Sequence, residues 1–114
     1  MQVAHTTADD RGAARDYLWS GLKPGDFVVP VSESAAATLT LQMEGEGTVA
    51  IVGSNSPEGN DMAWHVLHDP FGAPLTLSVP GLYLVAERPR WLRPHPLIGE
   101  TIIRLEAARA KWAR

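Results

Sequence analysis

Thr48–Gly53 reads TVAIVG, Ser54–Met62 reads SNSPEGNDM, Ala63–Leu67 reads AWHVL and Asp69–Pro74 reads DPFGAP. Leu75–Val79 (LTLSV), Pro80-Gly81, Leu82–Ala86 (LYLVA) and Glu87–Pro94 (ERPRWLRP) complete the run. Short apolar or alternating segments are separated by Gly, Pro, Asn and Asp at intervals of about eight to twelve residues, the rhythm of a β-sandwich or small barrel. No segment has the period of a long amphipathic helix.

Upstream, Thr38–Met43 alternates most clearly. Leu39, Leu41 and Met43 fall on one face, Thr38, Thr40 and Gln42 on the other. Glu44-Gly45-Glu46-Gly47 has two glycines able to take left-handed φ, which predicts a hairpin turn. Thr48–Gly53 then returns antiparallel, with Val49 and Ile51 inward. Lys23-Pro24-Gly25-Asp26 predicts a type II turn, because Pro presets φ and Gly accepts a positive one. It joins a strand near Asp16–Gly21 to one at Phe27–Val31, whose Pro30 places that end at an edge. Ser32–Ala37 reads as a loop.

Downstream, Trp64 is the expected central core aromatic, since a large ring fills the gap between two sheets. Asp69-Pro70-Phe71-Gly72 is a turn, and Leu75, Leu77 and Val79 form the next inward set. Pro89, Pro94 and Pro96 confine Arg90–Arg93 to a short strand. Thr101–Leu105 is the last strand, with Ile103 and Leu105 inward and Arg104 outward. The count is about eight or nine strands in an all-β, antiparallel, jelly-roll-like β-sandwich. Residues 13–106 form its domain. Residues 1–12 are expected to be an extended N-terminal arm, mobile or ordered by a partner. Residues 107–114 are expected to be a basic tail, within a terminal stretch from Glu106 that is either flexible or a short helix.

At 114 residues the chain is one domain and needs no staple to fold. With no cysteine, disulfides and thiolate metal sites are excluded. A net charge of −3 argues against a broad basic surface for nucleic acid. No apolar run approaches the roughly 20 residues of a membrane span, and Met1–Asp10 lacks the pattern of a secretory signal. Cytoplasmic synthesis follows as the default.

Four constellations carry candidate chemistry. His65 and His68, near Asp61 and Asp69, are metal-ligating types. Residues three apart on a strand face opposite ways, however, and zinc wants three or four convergent ligands. Asn55, Glu58, Asn60 and Asp61 offer oxygens for calcium, but in a spacing that is equally ordinary turn chemistry. Ser54 or Ser56 with His65 and Asp69 makes a triad on paper, without a nucleophile elbow. Tyr17, Trp19, Trp91 and Trp112 are candidate sugar-stacking or interface aromatics. Arg88, Arg90 and Arg93 interleave with Trp91 in a basic, aromatic strand suited to acidic patches on a protein partner, or to nucleic acid. The protein partner is the preferred reading. The candidate interface is therefore Tyr17, Trp19, Arg88, Arg90, Trp91, Arg93 and Trp112. No catalytic, cofactor or metal site is expected.

The ordered set Gly53-Ser54-Asn55, Trp64, Leu67, Asp69, Gly72, Leu75-Thr76, Gly81-Leu82, Val85, Glu87, Pro89-Arg90 and Arg93-Pro94 resembles small virion structural proteins of tailed bacteriophages, among them head decoration (cement) proteins. Trp19-Ser20-Gly21-Leu22 with Gly25-Asp26 resembles that group's opening strand and turn. The resemblance spans about Tyr17–Leu105. The chain departs from the group at Ser56-Pro57-Glu58, at Trp91-Leu92 and at both ends. The resemblance implies a non-enzymatic jelly-roll-like protein, made in the bacterial cytoplasm and placed on the capsid surface. Its partners would be the major capsid protein and itself, as a homotrimer, with no membrane and no direct nucleic acid. A head–tail or tail component and a carbohydrate-binding module using Trp19 and Trp91 are the alternatives.

Overall fold

The computed structural model describes residues 3–11, 14–56 and 63–109. In chain order the strands are β1 (Val3–Arg11), β2 (Ala14–Leu22), β3 (Phe27–Val28), β4 (Thr38–Ser54), β5 (His65–Val66), β6 (Thr76–Leu77), β7 (Gly81–Leu84) and β8 (Trp91–Ala108). Among the described residues there is no helix, and the protein is all-β.

Two long strands are the spine. β4 and β8 pair antiparallel from Thr38–Ala108 to Ser54–Trp91. The far side of β4 carries β7 along Thr40–Met43, then β6 at Val49–Ala50 and β5 at Val52–Gly53. The far side of β8 carries β2 from Ala14–Ala108 to Leu22–Thr101. β2 carries β1 antiparallel, and β1 meets β3 in parallel at its first residues. Inward side chains from both halves of the spine join one core cluster. Leu39, Leu41, Ile103 and Leu105 come from one half, and Val49, Ile51, Leu77 and Leu92 from the other. The sheet thus folds over on itself, sandwich-like, with its two halves continuous through β4 and β8.

The expected hairpin at Glu44–Gly47 is absent: the chain runs straight on as β4. The glycines there serve a close crossing instead. Gly47 faces Gly99 on β8. A Cβ on Gly47 would lie 2.1 Å from the Ile98 carbonyl oxygen, and one on Gly99 2.3 Å from that of Glu46. Gly99 also has a φ of 68° and Gly45 one of 95°, and the register shifts between Thr48 and Val49. Positive φ at glycine marks a bulge as well as a turn, and the bulge bends both strands at one level.

β8 likewise merges the two expected strands at Arg90–Arg93 and Thr101–Leu105 and carries two prolines. Ile51 donates its N–H to Leu75 (2.9 Å) and its carbonyl accepts from Leu67 (2.8 Å), so it exchanges no bonds with its neighbour Pro94. Leu92 exchanges both backbone bonds with Val31, at 2.8 and 2.9 Å, on the side of β8 away from β4. Pro94 and Pro96, two and four residues on, turn their missing donors to that same side. Beyond the Val31 bridge, and short of Thr101, no described strand pairs there. The prolines therefore cost no ladder bond.

Both ends differ from expectation. The N-terminal segment is extended, but it is a strand paired with β2 from His5–Ser20 to Arg11–Ala14 rather than a free arm. Glu106–Ala108 continue β8 as strand, because Thr38–Thr40 on one side and Ala14–Asp16 on the other supply partners. The rest of the expected tail, from residue 110, lies outside the described residues.

The core aromatic also differs. Trp19 is fully buried, its Nε1–H donating to the Val29 carbonyl at 3.0 Å, and stacks on Tyr17 with centroids 6.1 Å apart. Trp64 lies half-buried outside the core, with the Arg93 guanidinium 4.6 Å above its ring. Val79, expected inward, is 64% exposed, since strand pairing on β4 stops at Leu77.

Candidate functional site

Two grooves meet at Asn55 and Arg88. The first, about 590 Å³, is lined by Ser54, Asn55, His65, Leu67, Glu87 and Pro89, among others. The second, about 540 Å³, is lined by Ser32, Ser34, Asn55, Arg88 and Arg90. Gly53 shapes the first groove: a Cβ there would lie 2.5 Å from Pro89 Cγ and 2.9 Å from Leu67 Cδ2. Only a residue without a side chain lets the Pro89 loop close over β4.

Arg88 ties that loop down. Its Nε donates to the Ala36 carbonyl at 3.0 Å and its Nη2 to that of Ala37 at 2.9 Å. Its Nη1 reaches the carbonyls of Val85, Ala86 and Glu87 at 2.7–3.2 Å. A guanidinium's fixed fork of donors suits this cluster of otherwise orphaned loop carbonyls. Asn55 ties the other wall, its Oδ1 accepting the Arg90 backbone N–H at 2.7 Å.

Glu87 accepts both the backbone N–H and the Nδ1 of His68, each at 2.7 Å. Partial burial would raise the Glu87 carboxyl, but those two His68 interactions outweigh it and hold the group below its ordinary value. Arg93 donates from Nη1 to His95 Nδ1 at 3.2 Å. Burial, then the adjacent Arg93 charge, pushes His95 below the usual histidine value, so the imidazole accepts this bond as a neutral ring.

Of the triad drawn from sequence, the structure brings Ser54, Ser56 and His65 to the first groove but engages Asp69 in its own turn. Asp69 Oδ1 caps its own turn, accepting the Phe71 and Ala73 N–H groups at 2.9 Å each. Ser54 is buried and its Oγ accepts from the Ser56 N–H at 3.2 Å. No three His, Asp or Glu side chains converge as metal ligands among the described residues. Glu58, Asn60 and Asp61, from the calcium set, lie outside those residues.

The candidate interface is likewise divided. Tyr17 and Trp19 are core residues, not a surface. The Tyr17 hydroxyl donates to Glu33, and burial, then that carboxylate, raises its phenol. Arg88 is a structural clamp. Arg90 is exposed, Arg93 is half-buried on Trp64, and Trp91 is half-buried with no acceptor for its Nε1 among the described residues. Trp112 lies outside the described residues. The period-two spacing of Tyr17 and Trp19 was a core signal, overridden by the frequency of Trp at interfaces. Nothing in the sequence marks Arg88 as a clamp between two loops, because the Ala36 and Ala37 acceptors lie about fifty residues away.

No family model matches this chain. No curated protein matches it. A crystal structure of protein NMB1881 from Neisseria meningitidis superposes with a TM-score of 0.49 at 13% sequence identity, covering 95% of this chain and 88% of that one.

Proposed function

We propose that the protein is a non-enzymatic structural component of a tailed-phage virion, a head decoration protein that binds the outside of the shell and bridges major capsid subunits. The observation that carries the reading is the border of the sheet at β7. Leu82 is 72% exposed and Leu84 50%, with Val79 at 64% just upstream. β7 pairs only with β4 among the described strands, so its outer backbone groups also face outward. A strand border that is both apolar and unpaired is a docking feature rather than an ordinary surface. The ordered likeness to virion proteins noted from the sequence supports the same reading. Repetition of a modest contact around a symmetry axis would raise avidity without a deep site. The sugar-platform alternative loses Trp19, which no ligand can reach in the core.

The test is co-sedimentation with empty capsids, together with the mass of the free protein in solution. Saturable binding by a homotrimer, weakened by Leu82→Asp, is the expected result. A monomer with no affinity for shells would overturn the reading, and labelling confined to a vertex or tail would move the protein to the head–tail junction.

A further inference from the structure

We infer that the groove between Ser32, Ser34, Asn55 and Arg90 binds a carboxylate of an acidic peptide segment. Its described lining holds two guanidinium groups, two hydroxyls and an amide, and no acidic side chain. Among the described residues the nearby carboxylates are committed elsewhere. Glu33 lies between Ser32 and Ser34 in sequence, but it accepts from Tyr17 and pairs with Arg15 at 3.5 Å. Glu87 is engaged by His68 in the adjoining groove.

The two arginines differ in what they have left to offer. Arg88 has its Nε, Nη1 and Nη2 on loop carbonyls, so it contributes fixed positive charge more than free donors. The Arg90 guanidinium makes no hydrogen bond or ion pair with any described side chain, while its backbone is anchored by Asn55. A fork with no described partner, on an anchored backbone, is the geometry that receives a planar carboxylate bidentately. A polyanion fits less well. One guanidinium without a described partner neutralises little backbone charge, the chain carries −3 overall, and no aromatic ring is among the described residues that line the groove. The inference rests on the groove alone and does not depend on binding to shells.

The experiment is an amide-shift titration of the full chain with a capped five-residue peptide carrying two glutamates. Its glutamine counterpart and a ten-nucleotide single-stranded DNA are the comparison probes. The expected result is a saturable shift at Ser32, Ser34, Asn55 and Arg90 with the glutamate peptide only. Arg90→Gln should weaken it by about tenfold, and Arg90→Lys less, because charge remains while the fork is lost. Unchanged spectra away from the groove confirm that the variants fold. The inference is overturned by shifts elsewhere or none, by an unaltered response in Arg90→Gln, or by tighter binding of the DNA.

Discussion

Gly47 and Gly99 face each other across β4 and β8, each with the other strand's carbonyl where its own Cβ would be. Ala at either site must push backbone against backbone, and at Gly99 it also takes a positive φ. Each substitution is expected to cost about 2–4 kcal/mol, more than Ala at an open glycine such as Gly72. Denaturant unfolding of Gly47→Ala, Gly99→Ala and Gly72→Ala checks the ranking, and equal costs would refute it.

Trp19 and Trp91 predict unequal responses to loss of the indole N–H. Trp19→Phe removes the part-buried bond to the Val29 carbonyl, which is expected to cost about 0.5–1.5 kcal/mol beyond the change in ring size. Trp91→Phe removes a donor with no acceptor among the described residues and should cost less. Thermal denaturation of the pair, with fluorescence quenching to show Trp19 shielded, measures the contrast.

Arg88→Gln strips several loop carbonyls of their donor at once. A loss of about 2–3 kcal/mol is expected, with Arg88→Lys recovering little of it, since a single ammonium cannot span acceptors on both loops. Hydrogen exchange should rise first at residues 36–37 and 85–88. Protection unchanged in that loop would show the clamp to be idle.

Acid should destabilise the fold in two windows. His95 titrates below its ordinary value of 6.5 in the folded state. The unfolded chain therefore binds its proton first, and stability falls as pH drops below that value through the folded one. Glu87 titrates below 4.5 when folded, so its contribution is whole above 4.5 and fades beneath. The Glu87 effect is small, because its side chain is 42% exposed and solvent screens the His68 pair. Stability curves from pH 8 to pH 3 for His95→Gln and Glu87→Gln separate the windows. Arg93→Gln should raise the His95 titration followed by NMR, and no upward move would show that the Arg93 charge is not a cause.

Alternation was the reliable guide within each strand. Leu39, Leu41, Met43, Val49, Ile51, Leu75, Leu77, Ile103 and Leu105 all point inward as their spacing requires. The turns at Lys23–Asp26 and Asp69–Gly72 also formed as their chemistry dictates, with Gly25 and Gly72 at positive φ. What alternation does not carry is whether a glycine ends a strand or bends it. Gly45 and Gly47 have the local chemistry of a hairpin, and only the close approach of Gly99, over fifty residues away, makes them a crossing. Pro94 and Pro96 misled for the same reason, since their tolerance depends on which edge lacks a neighbour. The candidate site was less legible. Arg90 is legible as a charged surface residue, but the groove beside it is made by Ser32 and Ser34, which read as loop, and by Asn55, which reads as a calcium-type oxygen or a turn residue.

The spine of β4 and β8 has a consequence for how the molecule comes apart. No hinge or linker divides the upper from the lower half, because the same two backbones floor both. Heat or denaturant therefore finds no seam, and the core fluorescence of Trp19 and the far-ultraviolet signal of the ribbons should vanish together in a single transition. A fragment cut at the glycine crossing would leave each piece with half a floor and no roof, and neither should hold a shape alone.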